Sequence, residues 1–222
     1  MTILTDPATP DLAKAPLHLT QIHVCYEQAV RLLKIRDTYD WHQRVWQAFG
    51  GRDGESRDFL VRIDRKEEAF RLLVLSQSAP TRPDWCPGAN FQSKPIPDAF
   101  FSNSNFAFSL LANPTKKVRS NAAGDRTKNG RRVPITRRED LLNWLGRKAD
   151  AGGFSLNLES VQTVPRSREF FNKSGASGHH SAVEFRGRLA VVDPARFRTT
   201  VATGIGSAKA FGFGLLVLAP AT

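Results

Sequence analysis

Cysteine is scarce in this 222-residue sequence, which contains only 2, Cys25 and Cys86. Two widely spaced cysteines exclude a disulfide framework and a cysteine-based zinc site, so a reducing compartment is expected. Long hydrophobic runs are also absent: the longest, residues 211–220, is interrupted by glycine and is much shorter than the ~18 residues of a membrane span. Residues 1–16 lack the apolar core of a signal peptide and are interpreted as a disordered leader. Together these absences predict a cytoplasmic protein.

Acidic residues are in short supply as well. The chain has 32 Lys and Arg against 21 Asp and Glu, which gives a formal net charge of +11 and a pI near 10.3. The hydrophobic share of 41% excludes a disordered chain, and the length suits one large or two small domains. A positive charge of this size says more about what the protein binds than about its fold. It indicates that the partner is nucleic acid or an anionic membrane surface.

The positive charge is concentrated in residues 116–138, where nine basic residues face one acid, Asp125. The window also contains Asn121, Gly124, Asn129 and Gly130, which favour turns, so a basic, turn-rich loop is predicted. Such a loop suits a phosphate backbone, because binding releases condensed counterions. A solvated charge run is the alternative interpretation.

The first half of the chain predicts one strand, one helix and a hairpin. Residues 17–26 alternate as a strand, and Asp37 or Thr38 can cap a helix that runs to about Phe49. Residues 59–63 and 71–78 then form a hairpin, and residues 84–92 give at best a short helix before an edge strand.

The second half repeats this order more clearly. Residues 136–139 form a capping box whose helix ends at Gly152 and Gly153. Strands are predicted at 106–112, 154–164, 182–192 and 215–219, and a second helix at 194–203. Both halves therefore read as βαββαβ, and the predicted fold class is α+β, with two tandem ferredoxin-like (RRM-like) domains at 17–98 and 99–222.

Tyr39 and His42 stand three residues apart on the first predicted helix, so both side chains lie over one surface. A histidine moves protons near neutral pH, and a tyrosine hydroxyl orients a substrate oxygen. Metal-free RNA cleavage fits this pair, since RNA supplies its own 2′-OH nucleophile; no cofactor and no metal site are predicted. A packing role for both residues is the alternative.

Residues 204–214 hold four glycines and Lys209, a composition that lets backbone amides approach a phosphate. The segment follows a helix and precedes a strand, the wrong order for a P-loop or a Rossmann fingerprint. A flexible turn is the alternative. Lys173, in a polar loop over 172–181, is a further candidate for RNA contact, whereas metal binding by His179 and His180 is not favoured.

Five segments of the chain resemble the CasE family, the CRISPR RNA-processing endoribonuclease subunit of the type I-E Cascade complex. They are YDWHQ (39–43), RDFLVRI (57–63), LANPTK (111–116), RVPI (132–135) and GIGSAKAFGFGLL (204–216), and they occur in the family's order.

The resemblance implies cleavage of CRISPR precursor RNA at the 3′ base of the repeat hairpin, without metal, leaving a 2′,3′-cyclic phosphate and a 5′-OH. It implies retention of the product, other Cascade subunits as partners, target DNA reached indirectly through that complex, and no membrane. His42 matches the family's histidine and Tyr39 its tyrosine, with the choice between base and acid left open for His42. The expected RNA- or phosphate-binding residues are Lys116, Lys117, Arg119, Lys128, Arg131, Arg132, Lys173, Gly204, Gly206, Lys209 and Gly212.

Two rival hypotheses stay open at this point. One is a non-catalytic scaffold that binds an RNA hairpin within a ribonucleoprotein complex. The other is a ribosome- or RNA-associated ferredoxin-like protein with no CRISPR role.

Overall fold

A computed structural model describes residues 15–50, 57–120, 126–173 and 176–221, and within them the side chains at 120, 126–129, 171–173 and 176–177 lie outside the description. The interpretation of residues 1–16 as a leader falls almost wholly outside these ranges. In chain order the described elements are β1 (His18–Cys25), a π-helical turn (Gln28–Leu32), α1 (Thr38–Trp46), β2 (Phe59–Arg65), β3 (Ala69–Ser76), β4 (Phe91–Pro95), β5 (Asn105–Ala112), β6 (Thr115–Ser120), β7 (Arg126–Pro134), α2 (Arg138–Gly152), β8 (Phe154–Leu156), β9 (Gln162–Pro165), β10 (Glu169–Lys173), β11 (Ala176–His180), β12 (Val183–Val191), α3 (Pro194–Thr203) and β13 (Leu216–Pro220).

The first sheet has the strand order β2-β3-β1-β4, with every neighbouring pair antiparallel. This is the order of a βαββαβ unit in which α1 carries the chain from β1 to β2. The described residues between β3 and β4 contain only a 3₁₀ turn, Gly88–Asn90, where a complete unit has its second helix. Pro80, Pro83 and Pro87 explain the missing helix, because each removes a backbone donor.

The second sheet has the order β13-β5-β12-β8, and β9 also pairs with β12. Its helices α2 and α3 occupy both crossover positions, so this unit is complete. The predicted fold class is confirmed: two ferredoxin-like units follow one another along the chain. No helix in the described part of the chain is long and apolar enough to cross a membrane.

Four local predictions were wrong. Most of the basic window is not a loop: residues 115–120 and 126–134 pair as a two-stranded hairpin, β6–β7, while residues 121–125 lie outside the described ranges. A second hairpin, β10–β11, takes most of the predicted loop over 172–181. The single strand expected at 154–164 is split by a 3₁₀ turn, Leu158–Ser160. The capping box is absent, because α2 starts after Arg137, which makes no side-chain cap bond.

The two units share a packed interface. In the first unit Trp41 and Val45 of α1 are buried on one face of the first sheet. Leu60 of β2 and Leu75 of β3 belong instead to the core of the second unit. Leucines of one unit therefore fill the core of the other, which fixes the position of α1 relative to the second unit.

A buried charge network crosses the same interface. Glu184 of β12 is 1% exposed and accepts hydrogen bonds at 2.8 Å from Arg62 of β2 and from Ser109 of β5. Arg166 and Arg186 also donate to this carboxylate. Burial alone would raise the pKa of Glu184, but the hydrogen bonds from Arg186, Arg166, Arg62 and Ser109 lower it far below its usual range.

Candidate active site

Helix α1 presents Tyr39 and His42 because its start and its buried face are both fixed. The Asp37 carboxylate caps the helix, accepting from the backbone N–H of Tyr39 at 2.8 Å and of Asp40 at 3.1 Å. Since Trp41 is buried against the sheet, Tyr39 and His42 lie on the flank of the helix, where both are half-buried. The helix and its Asp37 cap are as expected from the sequence.

His42 is held by aromatic neighbours. The indole Nε1–H of Trp46 donates to His42 Nε2 at 3.0 Å, and the Phe59 ring centroid lies 5.7 Å from the His42 ring centroid. Because an indole nitrogen only donates, Nε2 must be an acceptor and the neutral ring carries its proton on Nδ1. Trp46 thus selects one tautomer of His42.

The glycine-rich segment, residues 204–214, meets α1 from the second unit. The ring centroid of Phe211 lies 6.2 Å from that of Tyr39. Lys209, two residues earlier, is half-buried and donates from Nζ to the Thr203 carbonyl at 2.6 Å. The fold therefore brings Lys209 to the helix that carries Tyr39 and His42, as the hypothesis of a shared site requires.

Close packing accounts for the glycines of this segment. Gly204 has φ +76, and a Cβ there would lie 2.8 Å from Leu60 Cδ1. Gly212 has φ +88, and its Cβ would meet Ile63 Cδ1 at 3.3 Å. Side chains at either position would push the segment away from β2. Phosphate binding by Gly204, Gly206 and Gly212 stays a prediction.

Arg57 is a site residue that the sequence reasoning missed. It lies directly before β2, with its guanidinium carbon 5.9 Å from the centroid of the Phe59 ring that also packs on His42. Burial lowers the pKa of Arg57, and burial followed by the charges of Arg57 and Lys148 lowers the pKa of Lys209. Within the described residues Arg57 makes no hydrogen bond or salt bridge. A bound anion would relieve the repulsion between Arg57 and Lys209, so these two cations form a candidate anion site. The sequence signals were a basic residue shortly before an apolar strand and its place in the segment RDFLVRI (57–63), which resembles the CasE family.

His180 is a second residue that the sequence did not single out for this site. Its ring centroid lies 4.8 Å from that of Phe211, and its Nδ1 is 3.0 Å from Asn113 Nδ2. Burial, with a smaller effect from His179, lowers the pKa of His180. His180 therefore packs behind Phe211. No cluster of three or more His, Cys, Asp or Glu with metal-binding geometry occurs in the described ranges.

The basic hairpin, β6–β7, begins beside the glycine-rich segment. Ser207 Oγ donates to the Asn113 carbonyl at 3.4 Å, and Ile135 N–H donates to the Pro114 carbonyl at 3.0 Å. The Asn-Pro turn between β5 and β6 thus links the base of the hairpin to the site. The hairpin's exposed basic side chains are Lys116, Lys117, Arg119, Arg131 and Arg132.

Two of these cations, Lys117 and Arg132, occupy directly opposed positions across the hairpin. Like charges in such a pair repel each other and destabilise the hairpin, and a bound phosphate removes that cost. The side chains of Lys128 and Lys173 lie outside the described residues, so their roles stay predictions.

Residues 17–220 match the model of a family described as CRISPR associated protein. The chain belongs to this family. The CRISPR system Cascade subunit CasE of Escherichia coli (strain K12) is 31% identical over 188 residues, covering 83% of this chain and 93% of the relative. The CRISPR-associated endoribonuclease Cse3 of Thermus thermophilus is 29% identical over 202 residues, 84% of this chain and 92% of the relative.

A solved structure of Thermus thermophilus Cse3 bound to an RNA representing a pre-cleavage complex is 30% identical, with a TM-score of 0.69, and the match covers 92% of this chain and 100% of that one. The resemblance to the CasE family is therefore confirmed. The residues that match the family model, 17–220, include α1, the basic hairpin and the glycine-rich segment.

Proposed function

We propose that this chain is a CRISPR RNA-processing endoribonuclease. It binds the repeat hairpin of precursor RNA in the cytoplasm, cleaves at the 3′ base of the stem without a metal ion, and stays bound to the product as a subunit of Cascade. The support from relatives is that one is named an endoribonuclease, one a Cascade subunit, and that a solved relative is bound to RNA.

One arrangement in the structure carries the proposal. Tyr39 packs on Phe211, two residues from half-buried Lys209 of the second unit, and His42 packs on the Phe59 ring, which half-buried Arg57 of the first unit also contacts. A proton-transferring side chain beside an anion site is what cleavage of a phosphodiester needs. If Tyr39 and His42 served only in packing, or the cations only in solvating the surface, this arrangement would not be required.

In the reaction the 2′-OH loses its proton, and O2′ attacks the adjacent phosphorus. The bond from phosphorus to O5′ breaks, and O5′ takes up a proton, which leaves a 2′,3′-cyclic phosphate and a 5′-OH. His42 serves one of the two proton transfers, and Tyr39 positions the 2′-OH or the scissile phosphate. Arg57 and Lys209 stabilise the extra negative charge on the phosphoryl oxygens as the new bond forms.

The test is incubation of the purified protein with the repeat RNA of its own locus in EDTA, followed by analysis of the product ends. Cleavage at one position, with a cyclic phosphate, is expected for the wild type and is abolished in His42→Ala. The affinity of that variant for the RNA hairpin stays within a few fold of wild type, because the basic β-hairpin of the protein, β6–β7, is intact. Gln43→Ala, an exposed position on the same helix, is the matched control.

Three results would contradict the proposal: a strict need for magnesium, full activity of His42→Ala, or a gel shift by the wild type without any product. The last result would favour the non-catalytic scaffold.

A further inference from the structure

A cavity of about 480 Å³ lies between the two units, beside the N-terminus of α1. The first unit contributes the π-helical turn, the start of α1 and the ends of β2 and β3. The second unit contributes β10 and residues 211–213. The volume of the cavity falls in the usual range for a small-molecule site and is large enough for one nucleotide.

The cavity begins one residue from the proposed catalytic pair. Thr38, which precedes Tyr39, lines it, and so does Phe211, whose ring packs against Tyr39 with centroids 6.2 Å apart. A group bound at the end of the cavity formed by Thr38 and Phe211 is therefore close to Tyr39.

Exposed apolar side chains stand at this cavity. Phe170 of β10 is 66% exposed and Val30 of the π-helical turn is 60% exposed, and both belong to its lining. Single exposed apolar residues are common on protein surfaces, but two of them in the lining of one cavity form an apolar surface that a ligand can cover. The Phe170 ring contacts the His179 ring, with centroids 6.0 Å apart, and is exposed enough to stack on a planar group as well.

Three arginines, Arg36, Arg65 and Arg168, line the same cavity against two carboxylates, Asp37 and Glu169. Arg36 is paired with Asp40, and Asp37 caps α1. Arg65 lies over the Tyr26 ring, with 5.5 Å from its guanidinium carbon to the ring centroid. Arg168 is exposed and makes no hydrogen bond or salt bridge with any residue that the structure describes. Aromatic walls with one uncommitted guanidinium group, that of Arg168, suit a base and its phosphate better than an apolar protein side chain, which needs no cation.

We propose that this cavity binds one unpaired nucleobase of the substrate RNA, next to the cleaved bond. The base stacks on Phe170, and Arg168 contacts its phosphate. Proteins that read RNA commonly take splayed bases onto aromatic and arginine side chains, because such bases are available only outside the stem. The inference rests on the proposed function, since it takes the bond cleaved beside Tyr39 and His42 as its reference point.

The experiment places 2-aminopurine, one position at a time, in the unpaired nucleotides that flank the cut. The RNA is bound to His42→Ala protein so that it stays whole. Fluorescence quenching by stacking is expected at one flanking position, and adding Phe170→Ala should remove it and weaken affinity about tenfold. Arg168→Gln should weaken affinity with less effect on quenching. Val192→Ala is the matched control, because Val192 is 69% exposed and does not line the cavity.

An abasic nucleotide at the quenched position should lower wild-type affinity by the same factor as Phe170→Ala, and the two changes together should add nothing further. Quenching that is uniform along the RNA, or unaffected by both variants, overturns the inference. So does a Phe170→Ala protein that binds RNA normally but no longer assembles with partner subunits, since that result makes the cavity a protein-docking site. Failure of the wild type to cleave unmodified RNA would instead refute the proposed function.

Discussion

The indole nitrogen of Trp46 donates a hydrogen bond to His42 Nε2 at 3.0 Å, one turn further along α1. This bond occupies one of the two imidazole nitrogens in the free protein. A proton can reach Nε2 only after the indole N–H has moved away.

Replacing the indole tests whether Trp46 positions His42 for proton transfer. In Trp46→Phe the aromatic packing is largely kept, but the donor is removed. We expect the ¹⁵N NMR signals of His42 to shift toward the other tautomer, and the limb of the pH–rate profile that His42 controls to move to higher pH. Trp85→Phe, which removes another tryptophan of the same unit, should change neither. An unaltered NMR spectrum together with an unaltered pH profile would mean that the Trp46 bond has no role in catalysis.

Arg57 is expected to act in the chemical step more than in binding. Arg57→Gln removes the charge beside His42, and the single-turnover cleavage rate should fall roughly 10²-fold, the usual effect of removing one group that stabilises a developing anion. Hairpin affinity should change only a few fold, since most phosphate-binding side chains lie elsewhere. Arg31→Gln makes the same charge change at an exposed position outside the site and should alter neither the cleavage rate nor the affinity. An effect confined to affinity would assign Arg57 to RNA binding alone.

The opposed pair Lys117 and Arg132 predicts opposite effects on binding and on stability. Changing both to Gln should reduce the slope of log affinity against log salt by about one unit for each phosphate that the protein no longer neutralises. The free protein should become no less stable, since the cross-strand repulsion of roughly 0.2–1 kcal/mol disappears. Binding measured at several salt concentrations and thermal unfolding give the two readouts. Arg147 and Arg196, exposed on α2 and α3, provide a control double variant with the same charge change. An unchanged slope would leave the basic hairpin as a solvated charge run.

Glu184 makes the interface between the units sensitive to acid. Its pKa is lowered in the folded protein, so its stabilising contribution is complete above the unfolded value near 4.3 and declines progressively as the pH falls below it. At Asp64 burial acts to raise the pKa, but hydrogen bonds and charge from Arg71 and Arg62 outweigh it and lower the pKa, so Asp64 behaves in the same way. Unfolding stability should therefore fall as the pH drops below about 4.

Glu184→Gln should cost about 1.5–3 kcal/mol at neutral pH, because buried Arg62 then loses one of its two carboxylate partners and keeps only Asp64. The variant should also show a flatter dependence of stability on pH in acid. Urea unfolding between pH 3 and 7 measures both effects, with exposed Glu159→Gln as control. Equal stability of Glu184→Gln and wild type would mean that the network contributes nothing net.

Most of the secondary structure could be predicted from local patterns. Asp37 marked the start of α1, alternation marked β2, β5 and β12, and Asp193 with Pro194 marked the start of α3. The errors arose where pairing with a distant segment overrides local preference. Asn and Gly within residues 116–138 favoured a loop, whereas the register of Lys117 with Arg132 makes a hairpin.

The candidate site was predicted in part. Tyr39, His42 and Lys209 were identified from the chain and from its resemblance to a family, and the fold brings their segments together. Arg57, Trp46 and His180 were not identified, because an arginine before a strand, a tryptophan on a helix and a histidine in a polar segment carry no chemical signature in sequence. Their roles come from neighbours contributed by other elements.

The sequence by itself determined the excess of positive charge, the two βαββαβ patterns and the family, because these depend on composition and on spacing within short segments. Only the tertiary structure decided that Gly204 packs on Leu60, that Arg62 pairs with Glu184, and that Phe211 lies against Tyr39. Each of these contacts joins parts of the chain far apart in sequence. Local spacing does not encode such contacts. They form because the two units bury their shared apolar surface, and that burial brings the segment with Lys209 in the second unit to the helix that carries His42 in the first.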